Sequence, residues 1–312
     1  MSKKYPPQQL HIPVLLEPVL AFLDPQAGES YLDLTAGFGG HAARVIEKTA
    51  APERATLVDR DSEAIRSLEP LARQGATVRH EDFASAAAHL VQNGHVFDMV
   101  LLDLGVSSPQ LDNAARGFSF QADAPLDMRM NQQQATSAKD LVNTASASEL
   151  VRIIREFGEE RPGAAKRIAE AIVAARPLES TAELAAIITK QHRGAWTRIH
   201  PATRTFQALR LAVNDELGQL KTVLPLLPRL LTPGGRLAII SFHSLEDRLT
   251  KRFLNEQSRA GFEATIRLLN KKPLAGADYD VHHPRARSAK LRAAVKINTQ
   301  ERKDLDYAYQ SS

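Results

Sequence analysis

Short apolar runs alternate with helix-type spacing through the first hundred residues. Runs at residues 30–34, 55–58, 76–79 and 97–102 read as strands, and the segments between them carry apolar positions three and four apart. That alternation predicts a parallel sheet covered by helices. It stops after Pro109, and some ninety residues follow without a strand-like run. There, Ser146 or Ser148 can cap a helix bearing Leu150, Ile153, Ile154 and Phe157, stopped by Gly158, and Ser180-Thr-Ala-Glu183 reads as a capping box before Leu184, Ile187 and Ile188. From Thr203 the spacing of Phe206, Leu209, Val213, Leu217, Leu220 and Leu224 predicts an amphipathic helix packed on a sheet, broken by Pro225 and Pro228. Strand-like runs resume at 237–242, after the turn Thr232-Pro-Gly-Gly235, and recur at 264–269 and 291–297, completing seven. The expected organisation is therefore an α/β domain over residues 1–111 and 202–312, with an all-helical subdomain inserted at 112–201.

The most informative stretch is Tyr31-Leu-Asp-Leu-Thr-Ala-Gly-Phe-Gly-Gly-His41, followed eighteen residues later by Asp59. An apolar run turning through close glycines into a helix is how a parallel sheet builds a nucleotide or nucleoside pocket. Asp59 ends the second apolar run, where its two oxygens could accept bonds from both hydroxyls of a ribose. A dinucleotide fingerprint places a third glycine where the chain has Ala42, which disfavours a nicotinamide-dependent dehydrogenase. The same glycines could also serve only a tight strand-to-helix turn.

Ligands of such sheets sit beyond the carboxyl ends of the strands, where Asp33, Asp59, Asp82-Phe83 and Asp103 fall. Phe83 could lie against a purine, with Asp82 or a nearby backbone group at the base edge.

With 312 residues and 43% hydrophobic content, the chain can bury a full core. It contains no cysteine, which removes disulfides, thiolate metal sites and cysteine nucleophiles. No helical His or carboxylate pair requires a metal. The N-terminus lacks an apolar targeting core and no run is long enough to span a membrane, so a cytoplasmic address is expected. Net charge is +4, yet residues 259–296 hold nine Lys or Arg against three acids. That clustering suits a phosphate-bearing partner, the lesser reading being a solvated face.

Several motifs then appear in order: Asp33-Leu-Thr-Ala-Gly-Phe-Gly-Gly-His41, Asp103-Leu-Gly-Val-Ser-Ser-Pro-Gln-Leu-Asp112, Arg116-Gly-Phe-Ser-Phe120, Pro125-Leu-Asp-Met-Arg-Met130, His200-Pro-Ala-Thr-Arg-Thr-Phe-Gln-Ala208, Ser241-Phe-His-Ser-Leu-Glu-Asp-Arg248 and Pro284-Arg-Ala-Arg-Ser288. Together they closely resemble the ribosomal RNA small subunit methyltransferase H family, from His11 to about Ile297. The resemblance implies a Rossmann-like class I S-adenosylmethionine-dependent methyltransferase with a seven-stranded, mostly parallel sheet. It implies methylation of the exocyclic N4 of a cytidine in the decoding centre of 16S ribosomal RNA, within the small ribosomal subunit, and a helical insertion that recognises substrate.

Carried over by position, cofactor contacts fall on Gly39, Gly40, His41, Asp59, Phe83, Asp103 and Gln110, and Asp103 is the candidate catalytic acceptor near the amine. Ser107 and Ser108 are its neighbours, and His243 could reach the pocket rim. Leu34, where the family usually has glycine, and His283, where it usually has asparagine, depart from the pattern. Arg116, Arg129, Arg204, Arg285, Arg287, Lys290 and Arg292 are candidates for phosphate contacts, with Asp112 and Asp127 as competing partners for Arg116 and Arg129. A homodimer through the insertion or the C-terminal tail is compatible with the sequence. A non-catalytic S-adenosylmethionine-binding ribosome assembly factor is the alternative reading.

Overall fold

The structure is a computed structural model and describes residues 13–193, 200–280 and 284–297, so His11 and His283 lie outside the described residues. The chain separates into two compact units, Met1–Leu104 with Lys221–Ser312, and Gly105–Leu220.

The first unit is built on an eight-stranded mixed sheet: β1 (Tyr31–Asp33), β2 (Ala55–Asp59), β3 (Thr77–His80), β4 (Phe97–Asp103), β5 (Leu231–Ser241), β6 (Ile266–Leu268), β7 (Leu274–Ala275) and β8 (Lys290–Lys296). Its order is β3-β2-β1-β4-β5-β8-β6, with β7 on β8; the first five strands run parallel, while β8 is antiparallel to its neighbours. The seven expected runs are all present as strands. The two-residue β7 lies between the runs at 264–269 and 291–297 and is too short to show a periodicity. Central strands are apolar on both faces, as a sheet covered on both sides demands: Leu57, Met99, Leu101, Ala238 and Ile240 face one core, while Leu32, Val58, Val100, Leu102 and Ile239 alternate with them and are equally buried.

Thr232-Pro-Gly-Gly235 proves to be an irregularity inside β5 rather than a turn before it. Pairing with β4 passes from Phe97↔Leu231 to Met99↔Arg236, and the Thr232 hydroxyl donates to Asp98 Oδ1 at 3.1 Å across the interruption.

The second unit is helical, with one isolated bridge, Pro125↔Ser180, among its described residues. Helices Ala138–Thr144, Ala147–Glu156, Pro162–Ala174, Thr181–Gln191 and Ala202–Val213 enclose a core that includes Leu150, Ile153, Ile154, Ile168, Leu184 and Ile188. Ser146, not Ser148, caps its helix, and Ser180 with Glu183 forms the expected capping box. The stripe starting at Thr203 departs from expectation. Its helix ends at Val213, Asp215 adopts a left-handed φ of 47°, and a second helix runs Glu216–Val223. Phe206 and Leu209 pack in the helical core rather than on the sheet, which is why this unit runs to Leu220 instead of ending at 201. Among the described residues no helix is long and apolar enough to cross a membrane.

Candidate functional site

Parallel pairing brings the carboxyl ends of β2, β1 and β4 to one sheet edge, with Asp33 registered beside Leu57 and Leu101. The chain leaves β1 through Leu34, whose N–H donates to Leu101 O, and Ala36, whose N–H donates to Val58 O, so the loop extends the ladder on both sides. Leu34 is buried without a left-handed backbone, which accounts for the absence of a glycine there. Gly37 and Gly39 do need one, at φ 53° and 83°.

Gly39 opens the ten-residue helix Gly40–Thr49 without a side-chain cap, leaving the leading N–H groups of the helix unserved by any side chain from that position. Such a terminus favours a carboxylate. A Cβ on Gly39 would meet Leu68 and Leu71 at 3.1 and 3.3 Å, and one on Gly40 would stand 2.5 Å from Pro13 Cγ, so backbone alone fits here.

Asp59 accepts from Gly37 N–H through Oδ2 and from Asp61 N–H through Oδ1, both at 2.8 Å. Burial pushes its pKa up, and the two backbone donors act against that. Each oxygen keeps a second lone pair, which suits the two ribose hydroxyls of an adenosine-type ligand.

Phe83 is buried at the start of the helix Phe83–Gln92, close to β2 in the chain path because Glu81 N–H donates to Asp59 O. Asp82 is not available to a base edge as expected. Its Oδ1 accepts from Ala84 and Ser85 N–H and its Oδ2 from the Ser85 hydroxyl, so it caps that helix.

Asp103 closes β4, and its N–H donates to Thr35 Oγ at 2.6 Å. Its Oδ1 has no hydrogen-bond partner, and Oδ2 lies 3.6 Å from His41 Nε2. Asp33 has one partner on each oxygen: Tyr31 donates its hydroxyl to Oδ2 at 2.8 Å and Thr35 its N–H to Oδ1 at 3.1 Å. Of the three strand-end carboxylates on these strands, Asp103 is the one with an unmet oxygen. Sequence reading names Asp103 but misses Tyr31, Thr35 and the His41 ring; the approach of Thr35 and His41 to Asp103 appears only once β1 and β4 are paired.

Gln110 belongs to the helical unit, where its Oε1 accepts from Ser107 N–H while its own N–H donates to Ser107 Oγ. The S-x-x-Q spacing is a readable capping-box signature, and it explains Ser107 and part of Gln110 without a ligand. His243 is likewise a cap: its Nδ1 accepts from Glu246 N–H, and Nε2 lies 3.1 Å from Glu246 Oε1. Several expected phosphate contacts have partners within the chain, although Arg204 stays exposed. Arg292 is buried and, with Lys290, binds Asp247; Arg116 is 1% exposed and donates to Arg129 and Met130 carbonyls; Arg129 forks onto Asp127 and Arg204 lies near Glu160. Arg285 and Arg287 remain exposed.

A doubly covered, largely parallel sheet with a glycine loop after β1 and an acid closing each of β1, β2 and β4 defines a class I S-adenosylmethionine-dependent methyltransferase. Residues 8–297 match the MraW methylase family, and the chain belongs to that family. It is 46% identical to the ribosomal RNA small subunit methyltransferase H of Heliobacterium modesticaldum over 92% of this chain and 98% of that protein. The protein of the same name from Cyanothece sp. is 48% identical over 95% and 97%. A solved methyltransferase homolog protein from Pyrococcus horikoshii is more loosely similar, at 15% identity and a TM-score of 0.43 over 95% of this chain and 72% of that one.

Proposed function

We propose that this protein methylates the exocyclic N4 of a cytidine in the decoding centre of 16S ribosomal RNA, acting in the cytoplasm on the small ribosomal subunit. The names of its relatives support the RNA substrate. The observation that carries the target atom is the unmet Asp103 Oδ1, an acceptor at the strand edge where an amine N–H could be received.

In this reading Gly39, Gly40 and His41 present backbone N–H groups to the methionyl carboxylate, Asp59 takes the ribose, Phe83 borders the adenine, and Asp103 lies toward the amino-acid end and the target amine. Bound S-adenosylmethionine supplies an electrophilic sulfonium methyl. The chain's own contribution is placement. A cytosine amine is a poor nucleophile because its lone pair is delocalised into the ring, so orienting it and accepting one of its N–H bonds lowers the barrier by several kcal/mol. The methylated nitrogen then carries one proton too many, and Asp103 is the acceptor nearest the strand edge.

Exposed Arg285 and Arg287 serve as phosphate contacts, and the helical unit, Gly105–Leu220, serves as a substrate-recognition domain. Transfer of labelled methyl from S-adenosylmethionine to unmethylated small subunits, compared with free 16S ribosomal RNA and with a protein acceptor, tests the reading. Label entering RNA supports it; label entering only protein, or no transfer by cofactor-bound enzyme, contradicts it.

A further inference from the structure

One buried side chain at the strand edge has no role in the scheme above. The His41 ring is 6% exposed, neither ring nitrogen has a hydrogen-bond partner, and Nε2 stands 3.6 Å from Asp103 Oδ2. An unmet buried polar group costs about 1–3 kcal/mol, so such a ring persists where a compensating contact forms in use.

Of the nearby acids, Asp103 is the one whose carboxylate the ring approaches within 4 Å. Asp33 already accepts from Tyr31 and from Thr35, one bond on each oxygen. Asp103 has its main-chain N–H fixed to Thr35 Oγ, but no hydrogen bond holds its carboxylate: Oδ1 is unmet, and Oδ2 faces His41 beyond bonding distance. His41 itself is anchored in the first turn of the helix Gly40–Thr49. A side-chain movement of roughly 0.7 Å converts the 3.6 Å approach into an ordinary N–H···O bond. Catalytic contacts that are long in a ligand-free site and tighten in use are common.

We propose that His41 is a positioning residue for methyl transfer: its Nε2–H bonds Asp103 Oδ2 when the site is loaded, which turns Oδ1 toward the reacting amine. This rests on the reading that Asp103 faces that amine. A neutral imidazole donates from one nitrogen only, so the contact also fixes the Nε2–H tautomer. The competing role for the ring is as a ligand of the methyl donor's own carboxylate, and the two differ in what a substitution changes.

Kinetics of His41→Leu, His41→Gln, Asp103→Asn and the His41→Leu/Asp103→Asn pair on small subunits, with S-adenosylmethionine affinity measured by calorimetry, separate them. Positioning predicts that His41→Leu lowers kcat about 10–100-fold, the scale of a 1 Å misplacement, with cofactor Kd changed less than about threefold. It predicts that His41→Gln, which keeps an amide donor near Nε2, recovers most of that rate, and that the double variant is about as slow as Asp103→Asn. A loss confined to cofactor affinity, equal losses in the Leu and Gln variants, or multiplying losses in the double variant overturns the proposal.

A second readout needs no turnover. In protein bound to S-adenosylhomocysteine, nitrogen-15 spectra should show His41 as the Nε2–H tautomer with a proton protected from exchange, and Asp103→Asn should remove that protection. An Nε2 proton indifferent to Asp103→Asn overturns the contact even where wild-type enzyme methylates normally. Conversely, a wild-type enzyme that never methylates RNA defeats the functional reading while the spectrum still decides the contact.

Discussion

Tyr31 donates its hydroxyl to Asp33 Oδ2 at 2.8 Å in the interior of the sheet, and each of the two residues is 1% exposed. Burial pushes the Asp33 pKa up to about 6; Tyr31, His41 and the Thr35 N–H act against it, and Asp103 adds to it. Burial and the Asp33 charge in turn drive the Tyr31 hydroxyl well above its ordinary value.

The folded pKa of Asp33 is raised, so its contribution to stability is complete below the unfolded value near 3.8 and is lost as pH rises through about 6. The shift corresponds to roughly 3 kcal/mol. Asp33→Asn should therefore gain stability relative to wild type as pH rises from about 4 to about 7, by up to that amount. Urea unfolding of both proteins across that range checks it; a difference independent of pH contradicts it.

Asp247 ties the helix Ser244–Ser258 to β8 through Arg292 Nε at 2.7 Å and Lys290 Nζ at 2.9 Å. Burial works to raise its pKa, but the bonds from Arg292 and Lys290 prevail and hold it below the carboxylate range. Its stabilising effect is present above the unfolded pKa and falls away as pH drops through the lower, folded value. Asp247→Ala leaves Arg292 buried without its charge partner and should cost about 3 kcal/mol in urea unfolding near neutral pH. A cost below about 1 kcal/mol would place this pair among surface ion pairs.

Removing Asp59 should act on the cofactor. Asp59→Ala is expected to weaken S-adenosylmethionine binding by about 1.5–3 kcal/mol, or roughly 10–100-fold, the scale of hydrogen bonds to a charged group. Calorimetric titration of folded variant and wild type measures it, and unchanged affinity contradicts the ribose assignment.

Gly39→Ala combines a left-handed backbone with a Cβ close to Leu68 and Leu71. The expected cost is about 1–2 kcal/mol of stability, together with weaker cofactor binding as the helix start is displaced. A variant as stable as wild type, with wild-type affinity, would show that this loop does not need its glycine.

Which features are legible in the chain follows from their physical range. Strand runs and caps are local: the continuous apolar runs through Leu57-Val58 and Leu101-Leu102, and the Ser180–Glu183 box, are visible in a few consecutive residues. The strand-end acids Asp59 and Asp103 are legible because topology places such residues at the ligand edge. What Arg292 and Arg116 do is not. A charge count reports sign and not burial, and both are internal because distant segments supply Asp247 in one case and the Arg129 and Met130 carbonyls in the other. The stripe through Phe206 and Leu209 shows that a helix has an apolar face but not which core receives it. The same limit hides the Asp103–Thr35 connection, which joins segments 68 residues apart.

Mass spectrometry of digested nucleosides is the most direct test of the central claim. Purified protein is incubated with S-adenosylmethionine and unmethylated small ribosomal subunits, beside the Asp103→Asn variant. The account predicts N4-methylcytidine with wild-type protein and a loss of at least about 100-fold in the variant, the scale reported for removing one transition-state hydrogen-bonding group. A different methylated nucleoside, no methylated nucleoside from cofactor-bound protein, or wild-type turnover by Asp103→Asn would contradict it.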